Sequence, residues 1–139
     1  MKNSKKIIWG VVVLVIVLVL AVAFKGSDKD AEIITLSNDG TFTHQQCESR
    51  GLVDKVIMME SKYCHVCELT KPTFLSACEA KGVTPLIIDI SKTEDFAQME
   101  SFGINIKYTP TFVFGCDYYV GEKSKLDYEN YLDKFMAEQ

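Results

Sequence analysis

The chain has 139 residues, is 47% hydrophobic and carries a formal net charge of −4 at pH 7, which leaves room for one membrane segment and one compact domain but not two domains. All 19 acidic residues lie after position 24 together with 12 of the 15 basic ones, so that portion carries −7. It holds no basic stripe for a phosphate backbone, and nucleic acid is not expected as a partner.

Residues 1–6 contain Lys2, Lys5 and Lys6 and no acid; residues 7–24 form an 18-residue run without a charged side chain. At ~1.5 Å per residue such a helix just crosses a hydrocarbon core of ~30 Å. The lysines before the run place the N-terminus in the cytoplasm and the rest of the chain outside it. Two fates fit the run: an uncleaved anchor, or a signal peptide cleaved after Ala21-Val22-Ala23, which would leave a secreted protein. The length of the apolar stretch and its unbroken β-branched portion at 11–19 favour the anchor. Residues 25–31, charged and small, read as a linker, and residues 32–139 as the domain.

Within the domain, residues 31–36 predict a peripheral strand. Residues 43–52 predict a short helix capped by Thr41 or Thr43 and ended by Gly51. Residues 56–60 are an apolar run suited to a buried strand, and residues 64–81 a helix stopped by Gly82. Residues 85–90 form a second buried strand, and residues 93–102 a helix with Thr93 as cap and Glu94 or Asp95 in its first turn. A strand at 110–114 has a hairpin partner at 117–120. The tail at 127–136 spaces Tyr128, Tyr131, Leu132 and Phe135 at helical intervals. The order is β-α-β-α-β-α-β-β-α, an α/β arrangement.

Five cysteines (47, 64, 67, 78 and 116) are many for an exported chain of this size and point to disulfide chemistry. Cys64 and Cys67, in Tyr63-Cys64-His65-Val66-Cys67, stand where a buried strand gives way to a helix. A thiol there faces unpaired backbone N–H groups and the positive end of the helix dipole, which favours its thiolate. Two intervening residues put the second sulfur within disulfide reach. Cys64 is therefore the expected nucleophile, Cys67 the resolving thiol, and His65 a residue that tunes the thiolate, with Lys62 adding positive potential. Paired cysteines also form half of many zinc sites. Here His65 is sandwiched between them, and His44, Cys47, Cys78 and Cys116 offer no second close pair, so no metal centre is expected.

These residues resemble the thioredoxin-like superfamily over about residues 32–137. The resemblance rests on the apolar strand 56–60, the Cys64–Cys67 motif, Pro72 five residues further along the helix, and Thr109-Pro110-Thr111-Phe112 at the start of a later strand. It implies a thioredoxin-like fold, a central mixed sheet flanked by helices; the apolar run at 7–24 adds one N-terminal transmembrane helix before it. It further implies that Pro110 follows a cis peptide bond beside the two sulfurs, and that Thr109 and Pro110 position substrate. Three departures stand out. Met58 occupies the place where many relatives bury a carboxylate, with Glu60 the nearest acid; Tyr63 precedes the motif; and His-Val fills it. In the same arrangement the active-site helix and the strand after Pro110 both run away from the motif. Cys78 and Cys116 are then expected to meet at the far end as a disulfide, with a bridge from Cys47 to either one also open.

The expected activity is that of an enzyme, a thiol–disulfide oxidoreductase acting on exported protein thiols and disulfides outside the cytoplasm. Oxidase or isomerase work is favoured over reductase work. No bound cofactor is required beyond the Cys64–Cys67 pair, and a membrane redox partner would reset it. The alternatives are a metal-binding chaperone on the same fold and a non-catalytic adaptor.

Overall fold

A computed structural model describes residues 32–139. The expected membrane segment at 7–24 and linker at 25–31 lie outside the described residues. Among the residues described, no helix is long and apolar enough to cross a membrane.

The elements in chain order are β1 (Ile34–Leu36), β2 (Gly40–Thr41), α1 (His44–Ser49), β3 (Val56–Glu60), α2 (His65–Ala80), β4 (Leu86–Asp89), α3 (Thr93–Ser101), β5 (Ile104–Ile106), β6 (Thr111–Phe114), β7 (Asp117–Val120) and α4 (Lys125–Ala137). Five strands form a mixed sheet in the order β2-β7-β6-β3-β4, and β1 pairs with β5 in a separate parallel ribbon. β3 is central: it runs parallel to β4 and antiparallel to β6. Its first four residues, Val56 to Met59, are all buried, because both faces of the sheet are covered. Strand alternation then sorts the core into two clusters. Val56, Met58, Phe112 and Phe114 pack against α2 and α4 through Phe74, Tyr128 and Leu132. Ile57, Met59 and Val113 face the other way, onto Cys47, Leu52, Met99 and Ile104.

Local chemistry sets the helix ends. Thr43 caps α1 in a reciprocal box with Gln46, and Ser124 caps α4 with Asp127, so α4 begins two residues before the predicted start. The predicted cap at Thr93 is corrected: Lys92 occupies that place without a side-chain hydrogen bond, and Thr93 is the first helical residue. The Asp95 carboxylate instead accepts the Asp89 N–H, tying α3 to the end of β4. Two strands were missing from the sequence reading, β2 and β5, which span two and three residues.

The disulfide expectation also changes. Cys116 pairs with Cys47, their Cα atoms 5.3 Å apart, and Cys78 is a free buried thiol. The reason is the sheet. Cys78 sits in the cluster on the α2 and α4 face, whereas Cys47 and Cys116 belong to the opposite face. The tight hairpin between β6 and β7, with Gly115 at φ +60°, turns Cys116 to that side.

Candidate active site

The loop from β3 to α2 delivers Cys64 and is held at several points. The Cys64 N–H donates to the Ser61 carbonyl at 2.9 Å, and the Tyr63 N–H to Ser61 Oγ at 3.3 Å. The Lys62 N–H donates to Asp89 Oδ1 at 3.3 Å, while the same carboxylate accepts from the N–H and hydroxyl of Ser91. The Ser91 hydroxyl above all, then its N–H and that of Lys62, hold the Asp89 carboxyl below its ordinary range. Sequence reasoning missed Asp89. The signal was an aspartate two residues before a serine at a strand end, the signature of a side chain closing its own turn.

Cys64 is the N-cap of α2, and its Sγ accepts the Cys67 N–H at 3.1 Å. One of the orphan donors of the helix start is thus spent on sulfur, and it would favour a thiolate there more than a neutral thiol. Cys64 and Cys67 are joined in a disulfide with Cα atoms 5.2 Å apart. Cys64 is half-buried, whereas Cys67 is 1% exposed. An incoming reactant can reach the first sulfur and not the second, which separates the nucleophile from the resolving thiol.

Thr109 and Pro110 approach from the start of β6. Their peptide bond is cis, and the Thr109 carbonyl oxygen lies 3.5 Å from Cys64 Sγ. Ser61, Tyr63, Cys64, His65, Val66 and Thr109 line an open depression of about 320 Å³. The structure therefore brings Cys64, His65 and Thr109 together at one surface, with Cys67 directly beneath. His65 is 79% exposed and its Nδ1 stands 3.5 Å from Glu68. Among the described residues no three metal-ligating side chains converge.

Beneath the pair, Met58 is fully buried in the apolar cluster that includes Cys67 and Phe74. Glu60, two residues on and on the same strand face, has its carboxylate engaged by the Lys71 ammonium one helical turn below Cys67. Pro72 lies within α2, as the resemblance implied, and the helix continues through it to Ala80.

No protein-family model and no curated protein matches the chain. Among solved structures it is similar to a poplar wild-type thioredoxin h at 21% identity, with a TM-score of 0.44 over 66% of this chain and 86% of that one. It is also similar to the thioredoxin NaTrxh of Nicotiana alata at 20% identity, with a TM-score of 0.42 over 79% of this chain and 98% of that one. The domain is a mixed α/β fold in which Cys64 of a neighbouring cysteine pair caps a helix beside a cis-proline loop, the arrangement that the thioredoxin-like resemblance implied.

Proposed function

We propose that the protein is an extracytoplasmic thiol–disulfide oxidoreductase, tethered by residues 7–24, that exchanges disulfides with exported proteins through Cys64 and Cys67. The observation that carries this is the split in access: a half-buried sulfur that receives a helix N–H, bonded to a sulfur that is 1% exposed. In the reducing direction the Cys64 thiolate attacks a substrate disulfide, forms a mixed disulfide and releases one substrate thiolate. Cys67, deprotonated, then attacks Cys64 Sγ, releasing the second substrate thiolate and leaving the Cys64–Cys67 disulfide. The substrate gains two electrons and the pair loses two; oxidation of a substrate dithiol is the same path reversed.

Stabilising the Cys64 thiolate stabilises the reduced pair and makes the disulfide the better oxidant, so oxidase or isomerase work is favoured. His65 supports this when protonated, and Thr109 and Pro110 present backbone beside the reacting sulfur. Turnover needs a redox partner, and a membrane protein near the tether would act at high effective concentration. No bound cofactor is invoked.

A Cys67→Ser variant of the full-length chain tests the proposal. It should accumulate mixed disulfides through Cys64 that are visible without reductant and lost when Cys64 is also replaced. A folded, exported variant that traps nothing would sink it. The reduction potential of the pair then decides the direction, and a value in the range of strong reductants would overturn the oxidase or isomerase preference.

A further inference from the structure

The rim of the depression carries a charge pattern at odds with the rest of the domain. Residues 32–139 hold 17 carboxylate side chains and 10 lysines and arginines. Lys55, Lys71, Lys81, Lys123, Lys125 and Lys134 are in ion pairs within the domain, and the Arg50 guanidinium donates to the backbone carbonyls of Gln46 and Glu32. Among the described residues this leaves three ammonium groups without a carboxylate partner, those of Lys62, Lys92 and Lys107. Two of them stand at the site. Lys62 lies 4.9 Å over the ring of Tyr63, in the loop that delivers Cys64. Lys107 lies 5.4 Å over the ring of Tyr108, next to Thr109, whose carbonyl touches Cys64 Sγ.

The nearby acids do not neutralise them. Asp89 takes the backbone N–H of Lys62, not its ammonium, and spends its other contacts on Ser91. Glu68 faces His65. The rings beneath the ammonium groups are themselves displayed: Tyr63 is 81% exposed and Tyr108 52%, with Val66 at 41% beside them. Large exposed aromatics at a reactive centre mark a contact surface. Each lysine–tyrosine stack offers an apolar body below and a cation above, which suits a peptide that carries carboxylates on either side of its cysteine.

Building on the thiol-exchange reading, we propose that the preferred partner of Cys64 is a protein segment whose cysteine is flanked by acidic residues, held by Lys62 from the loop before Cys64 and by Lys107 from the segment before Thr109. The short-range attraction of the rim works against the long-range repulsion of the acidic domain, so moderate salt weakens both and the preference is local.

The test uses the reduced full-length chain and two peptides, each a pyridyl disulfide on one central cysteine, with glutamates flanking it in one and lysines in the other. The ratio of the two reaction rates is read within each variant, so any change in the nucleophile itself cancels. The wild-type protein should favour the glutamate peptide by roughly 3- to 10-fold at low salt, the size expected of two partly exposed ion pairs. In a Lys62→Gln/Lys107→Gln double variant the ratio should fall towards one, and a Lys62→Arg/Lys107→Arg variant should keep it. A ratio near one in the wild type, a preference for the lysine peptide, or a glutamate preference that survives in the glutamine variant overturns the inference. Failure to react with either peptide overturns the exchange reading as well, so the two failures are told apart.

Discussion

Removing the Cys47–Cys116 bridge should cost the domain a large share of its stability, and the cost follows from sequence separation alone. The two cysteines are 69 positions apart. Cross-linking a loop of that size removes about 15 cal/mol/K of chain entropy from the unfolded state, or about 4 kcal/mol at 25 °C. The same relation gives about 2 kcal/mol for Cys64–Cys67, whose separation is 3. A Cys47→Ala/Cys116→Ala variant should therefore be less stable than a Cys64→Ala/Cys67→Ala variant by about 2–3 kcal/mol. Each pair has one buried sulfur, Cys47 or Cys67, so the cavities left by the alanines largely cancel in the comparison. Urea unfolding followed by far-UV circular dichroism measures this. The sole tryptophan of the chain is Trp9, outside residues 32–139, so backbone circular dichroism is the readout chosen for the domain. With a slope of roughly 1–2 kcal/mol per molar urea, the first variant should lose about 2–4 M of midpoint relative to wild type. Equal midpoints for the two double variants would refute the loop-closure reasoning.

Three further outcomes follow from the packing. The Cys78 thiol, pushed up to about 11 by burial, should resist alkylation at pH 8 in the native protein and react once urea unfolds the chain. Asp89 has a folded pKa below its unfolded one, so its contribution is fully present above about pH 4 and is lost as pH falls through the lower folded value. The unfolding free energies of wild type and Asp89→Asn from urea titration should then differ by no more than about 1 kcal/mol at pH 6 and converge near pH 3; a constant gap at both pH values would refute the carboxylate role. Gly115→Ala should cost about 1–3 kcal/mol, because a Cβ there meets the Val53 carbonyl and the Phe135 ring at 3.1 Å and the φ is +60°. Gly82→Ala, with φ +67° and open space around it, should cost less, and equal losses would assign the whole effect to φ.

The active-site half of the domain was legible because its signals are local and ordered. An apolar run too short for a helix, a cysteine at the junction and a proline ahead of a β-branched start each report on their own few residues. The same holds for the helix ends at Gly82 and Thr43. The other half depended on which face of a sheet a residue takes. Cys116 has the parity of Phe112 and Phe114, and a regular strand would place it on the face of Cys78. The strand stops at Phe114 and a two-residue turn follows, which reverses the side. β2 and β5 escaped notice for a related reason: at two and three residues they have too little pattern of their own and exist through their partners β7 and β1. Lys92 stands at the α3 cap without a side-chain bond, and the first turn is tied instead to β4 through the Asp95 carboxylate on the Asp89 N–H.

Two disulfides in one small domain raise the question of how a redox partner could cycle one and spare the other. Whatever a bridge adds to folding, folding adds to the bridge, since the two processes share one thermodynamic cycle. About 4 kcal/mol for Cys47–Cys116 makes it harder to reduce in the folded chain by roughly 90 mV, against roughly 40 mV for Cys64–Cys67. Access does not separate them: each bridge joins a buried cysteine, Cys47 or Cys67, to a partly exposed one, Cys116 or Cys64, so the difference rests on loop size and on the helix start. The Cys67 N–H that favours the Cys64 thiolate lifts the potential of that pair further. Titration against a graded thiol buffer, with alkylation and mass mapping at each step, should show Cys64–Cys67 opening first and Cys47–Cys116 at least about 50 mV lower. Simultaneous opening, or Cys47–Cys116 opening first, would mean that loop size does not govern these bridges, and the division between a working pair and a structural one would fall with it.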